Sequence, residues 1–225
     1  MSEKKAVFID IDNTIIQGSS MNLLVKYCYD QKLLNLRILL KSIYWYFLYK
    51  INYLQDFTKV TAEVSNVLSK ILLPLTITDV DQIFKECFDQ EIKPRIYKES
   101  ESFLRSLQSQ GYLVYFISST IVPIAEHFKQ YFGFGVVVAT EIEAVNGSYT
   151  GNIQGPICYG VEKLNKIESI WEKECINLEE SYAFSDHISD TPMLNKVGHP
   201  IVINPSKQLK KIAQNNNWEV RTFKL

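Results

Sequence analysis

The sequence predicts an α/β protein, a doubly wound parallel sheet with helices on both faces and an inserted α-helical cap. Three observations carry this. Short, continuously apolar runs alternate with segments of helical period, the pattern of a parallel sheet buried on both sides. Several of those runs stop at acidic or hydroxylic residues, and such sheets bind ligands at the carboxyl ends of their strands. The segment between the first two runs is wholly helical in pattern and far longer than the dozen or so residues a crossover needs, so it reads as an insertion.

The elements follow in order. Ala6-Val7-Phe8-Ile9 is the first strand and ends in Asp10-Ile11-Asp12-Asn13-Thr14. From Asn22 to about Gln90 the period is helical: Leu23, Leu24, Tyr27 and Cys28 share a face, and helices follow over 33–54, 58–72 and 78–90, the last two separated by Pro74. A helix over 100–110 stops at Gly111, and a strand over 112–117 ends in Ser118-Ser119-Thr120. A helix over 124–132 stops at Gly133, and Val136 to Ala139 is a third strand. Asn146-Gly147 between β-prone runs over 142–153 marks a hairpin. A helix over 161–174 precedes a strand over 182–184, which ends in Ser185-Asp186. A short helix over 192–197, a strand over 201–203, a helix over 206–214 and a strand over 218–220 close the sequence. The expected division is a core of residues 1–18 and 93–225 and a cap of residues 19–92.

Composition narrows the function. At 225 residues the chain buries a real core without disulfides or structural metal. Basic and acidic residues number 24 and 25, so no global charge points to nucleic acid or an acidic membrane. Cys28, Cys87, Cys158 and Cys175 lie too far apart in sequence for a zinc or redox pair and read as reduced thiols. The apolar run after the charged start is cut by Asp10 and Asp12, so it is no export signal and a cytoplasmic location is expected.

The strand ends hold the chemistry. Asp10 and Asp12 would point to opposite faces of an extended strand, but a turn directly after it brings them side by side as nucleophile and general acid. A cluster of Asp10, Asp12, Asp186 and Asp190 demands a cation, and an oxygen-only donor set favours Mg²⁺. Lys163 is the available fixed positive charge, with Lys166 one turn further on. Ser118 suits phosphate oxygens, and Ser119 or Thr120 could share its role.

These residues, in this order and on these elements, resemble the haloacid dehalogenase superfamily. Asp10, Asp12 and Thr14 match its Asp-x-Asp-x-Thr motif, Ser118 its strand-end hydroxyl, Lys163 its lysine, and Asp186 with Asp190 its acidic pair. The helical insertion resembles the cap of the phosphoserine-phosphatase-like branch, as do Lys93-Pro94-Arg95, the segment from Asn146 to Gly151, the segment from Asp190 to Leu194, and Asn204-Pro205. The resemblance implies a Mg²⁺-dependent phosphatase that acts on a small phosphomonoester through an aspartyl-phosphate. Asp10 would attack phosphorus and Asp12 would protonate the leaving oxygen and then activate water. Asp10, Asp12 (through its carbonyl) and Asp186 would hold the metal; Ser118, Ser119 and Lys163 the phosphate. Asp190 would orient Lys163 or a metal-bound water, with Thr14 in support.

Asp12 separates hydrolysis or phosphomutase chemistry from relatives whose second position is not acidic. A phosphoserine phosphatase of that branch carries Glu where this chain has Ser19, which sets phosphoserine apart from other candidates such as histidinol phosphate. The other readings are a phosphotransferase and a non-catalytic binding or receiver-like protein. His187 is either solvent-facing or in touch with substrate or metal-bound water, while His127 and His199 read as structural. The expected partner is a small phosphorylated metabolite and not nucleic acid, with the chain a monomer or homodimer. The aromatic stretch Ile38 to Tyr49 is too interrupted by charge to span a membrane. It reads as core packing within the cap, ahead of a dimer contact, a specificity wall or membrane attachment.

Overall fold

Strand β1 (Ala6–Ile9) is buried along its whole length and feeds both faces of the sheet. Val7 and Ile9 enter one hydrophobic cluster with Phe116, Phe184, Leu104 and Phe128, while Ala6 and Phe8 enter a second with Ile117, Ile167, Met193 and Leu209. That two-sided burial is why the run is apolar without alternation. The structure, a computed structural model, describes residues 4–50, 66–72 and 75–225. The expectations for residues 51–65 and for Pro74 lie outside the described residues.

The seven-stranded sheet has the order β4-β3-β2-β1-β5-β6-β7, with β2 (Leu113–Ile121), β3 (Val136–Val145), β4 (Ser148–Gln154), β5 (Tyr182–Ser185), β6 (His199–Ile203) and β7 (Glu219–Arg221). Only the β3–β4 pair is antiparallel; it closes through Asn146 and Gly147, both at positive φ. β1 lies at the centre and pairs with both β2 and β5, which makes its carboxyl end the topological switch point. Helices α5 (Lys98–Ser109) and α6 (Val122–Phe132) cover one face, and α7 (Val161–Glu174), α8 (Thr191–Leu194) and α9 (Lys207–Asn215) the other.

Between β1 and β2 the described chain is helical: α1 (Ser20–Asp30), α2 (Leu36–Lys50), α3 (66–72), α4 (Ile77–Cys87), a π-turn (Phe88–Ile92) and a 3₁₀ turn (Lys93–Arg95). The expected helix over 33–54 begins three residues late, because α1 ends in a turn with Lys32 at φ 63°. The sequence expects helix through Gln90, but the regular α-helix stops at Cys87 and widens into the π-turn. Core packing of the aromatic stretch holds on one side only. Ile38 and Leu39 pack on the cluster, but Leu36, Leu40, Ile43, Tyr44 and Phe47 are 50–58% exposed. A helix apolar all round needs neighbours all round, and among the described elements α2 packs chiefly on α1.

The chain leaves and re-enters the sheet layer through adjacent segments: Gln17 N–H donates to Arg95 O and Tyr97 N–H to Ile15 O, each at 2.9 Å. The insertion also meets the hairpin, with Ile77 N–H donating to Gly147 O at 3.2 Å. A Cβ on Gly151, at φ 82°, would come within 2.5 Å of Ser69 Cα, so only glycine allows β4 to lie this close to α3. Strand β2 runs past the expected end at Ile117, and its register with β3 shifts between Ile117 and Ile121. That irregularity holds Ser118, Ser119 and Thr120.

Candidate active site

At the end of β1 the backbone turns at once. Asp10 N–H still donates to Phe184 O of β5 at 3.0 Å, but the Ile11 carbonyl then accepts from the N–H groups of Thr14, Ile15 and Ile16, and Asn13 has φ 57°. This turn carries Asp12 to the start of α1, where Ser20 N–H donates to Asp12 Oδ1 at 2.9 Å. The N-terminus of a helix favours a carboxylate. Ser20 Oγ in turn donates to Thr120 Oγ1 at 2.9 Å, linking α1 to the irregular end of β2. Ser118 is fully buried there, and its Oγ accepts from Thr120 N–H at 3.1 Å, which leaves the hydroxyl proton to donate elsewhere. Ser119 is half-buried, and its carbonyl accepts from Thr140 Oγ1. A register irregularity of this kind can re-aim side chains, and here it leaves the Ser118 and Thr120 hydroxyls buried beside α1.

Lys163 comes from the first turn of α7 and is 3% exposed. Its Nζ donates to Asp10 Oδ1 at 2.6 Å and to Asp190 Oδ2 at 2.7 Å. Lys166, the competing lysine, donates to the Ala139 carbonyl at 3.0 Å instead. Asp190 is held on both oxygens: Ser185 Oγ donates to Oδ2 at 2.7 Å and Ser189 Oγ to Oδ1 at 3.2 Å. His187 is buried rather than solvent-facing, since its N–H donates to Ser185 Oγ and its Nδ1 lies 2.9 Å from Ser189 Oγ. Asp186 follows β5 directly and is half-buried, its carbonyl accepting from Ser206 N–H. Thr14 is fully buried; its carbonyl accepts from Ser100 Oγ, and its own Oγ1 has no hydrogen-bond partner among the described residues.

The electrostatics are those of an acidic pocket short of positive charge. Burial pushes the Asp10 carboxyl up to about 7, with the Asp190 charge adding to it and Lys163 opposing it. Burial also raises Asp12, against hydrogen bonds from Ser20 and Ser19. Burial works to lower Lys163, but the carboxylates of Asp10 and Asp190 outweigh it and hold the ammonium well above its ordinary value. Among the described residues no three His, Cys, Asp or Glu side chains form a metal cage. The donors at the ends of β1 and β5 are the carboxylates of Asp10 and Asp186 and backbone carbonyls, oxygen throughout. That set fits Mg²⁺, which keeps water and substrate oxygens in its shell rather than a full protein cage. The hydroxyls of Ser20, Ser185 and Ser189 escaped the sequence reading, whereas Thr120 was named there beside Ser118; the one signal available was that each lies within a few residues of a motif position.

A family model described as haloacid dehalogenase-like hydrolase matches residues 7–195. The phosphoserine phosphatase SerB1 of Mycobacterium tuberculosis is 26% identical over 220 residues, covering 98% of this chain and 71% of that protein. The histidinol-phosphatase of Neisseria meningitidis is 24% identical over 228 residues, covering 98% of this chain and all of that protein. A solved structure of a protein with unknown function from Bordetella pertussis Tohama I superposes with a TM-score of 0.83 at 20% identity, covering 97% of this chain and 98% of that one.

Proposed function

The chain belongs to the haloacid dehalogenase-like hydrolases and is a phosphatase of that family, as its relatives are, and from that premise we propose that it hydrolyses a small phosphomonoester through an aspartyl-phosphate on Asp10, with Mg²⁺. The observation that carries this reading is the buried Asp10 carboxylate at the centre of the sheet, tied to Lys163 and followed two residues on by Asp12, whose carboxylate accepts from Ser20 N–H at the start of α1. Asp10 Oδ2 would form the new P–O bond as the ester oxygen leaves with the proton from Asp12. Water, deprotonated by Asp12, would then attack the same phosphorus and release phosphate and the Asp10 carboxylate. Lys163 and the Ser118 and Ser119 region of β2 would bind the phosphate oxygens.

Mg²⁺, held by the carboxylates of Asp10 and Asp186 and the Asp12 carbonyl, would offset the repulsion between an anionic nucleophile and an anionic ester. Two unit charges at about 4 Å repel by roughly 4 kcal/mol at an effective dielectric of about 20. Asp190 acts through Lys163, which it positions. Residues 19–92 serve as a cap that excludes bulk water, with Thr14 supporting the turn that links it to the core.

The substrate class follows from Ser19, a short hydroxyl where a carboxylate would engage an ammonium beside the phosphate. Ser19 stands buried at the N-cap of α1. This supports a phosphomonoester other than phosphoserine, histidinol phosphate among them. The test is turnover of p-nitrophenyl phosphate with and without Mg²⁺, beside Asp10→Asn. Metal-dependent release that the variant abolishes is expected; no release from pure wild type sinks the reading. A screen of phosphorylated metabolites then assigns the substrate.

A further inference from the structure

We propose that α2 is a membrane-contact helix that docks the protein on an anionic lipid surface. At about 100° per residue, Leu36, Leu40, Ile43, Tyr44 and Phe47 fall within one arc roughly 100° wide. All five are at least half exposed, and no described residue covers them. This is a continuous apolar stripe on the surface, where single exposed apolar residues would need no explanation. The other side of the helix is committed to the interior through Ile38 and Leu39.

Charge selects the occupant. Between Asp30 and Asp56 the sequence carries four basic residues, Lys32, Arg37, Lys41 and Lys50, and no acidic one. The chain as a whole has net charge −1, so this basic excess is local to the stretch that holds α2. A second copy of the chain would bring the same basic segment to the interface and set like charge against like. An anionic bilayer supplies both the opposite charge and an apolar layer for the stripe. The 15-residue helix is too short to span, and among the described residues none is long and apolar enough to cross a membrane. It would lie in the plane of the interface, with Tyr44 and Phe47 as aromatic anchors.

The experiment is co-sedimentation of the full chain with vesicles of phosphatidylcholine alone and of equimolar phosphatidylcholine and phosphatidylglycerol. Wild type is expected to bind the mixed vesicles, to dissociate at high salt, and to ignore phosphatidylcholine alone. Lys32→Gln with Arg37→Gln, which removes charge but no packed side chain, should weaken partitioning by roughly thirtyfold. Tyr44→Ser with Phe47→Ser should abolish it while far-ultraviolet circular dichroism stays unchanged. Failure of wild type to bind the mixed vesicles overturns the proposal, as does equal binding by the charge variant. A homodimer that the Tyr44→Ser, Phe47→Ser pair dissociates, without vesicle binding, assigns the stripe to a second copy and overturns it too. None of these readouts depends on catalysis.

Discussion

Lys163 ties two buried carboxyls together, and its removal is the most costly single change at the site. Lys163→Met should destabilise by about 3–5 kcal/mol, because Asp10 and Asp190 would remain buried without their counter-ion; urea denaturation at neutral pH reads this directly. Asp12 is expected to act on the chemistry instead. Asp12→Asn should lower kcat by about 10²–10⁴ with little change in KM, as removal of a general acid does, measured on any ester the enzyme turns over. At this scale the sequence identifies types better than partners. Asp10, Asp12, Asp186 and Asp190 stand out because acids at the ends of buried strands are expensive without a purpose. The sequence names Lys163 through its motif position but leaves Lys166, one turn on along the same helix, as a competitor; the structure sends the second to the Ala139 carbonyl. The hydroxyls of Ser20, Ser185 and Ser189 are invisible for another reason: such residues are common in turns, and only the fold shows which of them meet the acidic groups and Thr120.

Among the elements, the hairpin and the end of β2 do more than the sequence advertises. Asn146-Gly147 announces the turn, but not that β4 lies against α3 with room only for a hydrogen at Gly151. Gly151→Ala should therefore cost about 1–3 kcal/mol for overpacking on top of a left-handed penalty of about 1–2 kcal/mol. Gly147→Ala, at φ 79° with nothing near its Cβ, should cost only that second part. Thermal unfolding of the two variants side by side checks the difference; equal losses would mean that the hairpin does not press on α3. The strand over 112–117 reads correctly as apolar and buried, yet its extension through Ser118 to Ile121 does not, because polar residues in a strand look like its end. Pairing with β3 carries the strand on, with a register shift that turns the hydroxyls inward.

For the whole molecule, the acidic pocket makes stability depend on pH and metal together. The Asp10 carboxyl sits near 7 in the folded protein against an ordinary 3.8, so between those values the folded state holds a proton that the unfolded state has released. Its contribution is full below about pH 4 and lost as pH rises through 7, the reverse of an ordinary paired aspartate; Asp12 shifts the same way. In chelator, wild type should lose more stability than Asp10→Asn from pH 5 to pH 7.5, an interval spanning that titration. Mg²⁺ favours the carboxylates, so its stabilisation should grow over the same interval, reaching about 2.7 kcal/mol at a hundredfold excess over its Kd. Parallel melting curves for the two proteins, with and without Mg²⁺, decide this.

The sequence by itself determined the α/β class, the order of strands and helices, the insertion after the first strand, and the identity of the acidic strand ends. These are written in local periodicity and in the energetic cost of burying charge. Only the tertiary structure decided that Lys166 turns away from Asp10, which groups hold Asp12 and Asp190, that His187 is buried, and that no described residue covers one face of α2. Each of those depends on residues brought together across up to 153 positions of chain, as Asp10 and Lys163 are. A local pattern carries no record of contacts that chain folding makes at such separations.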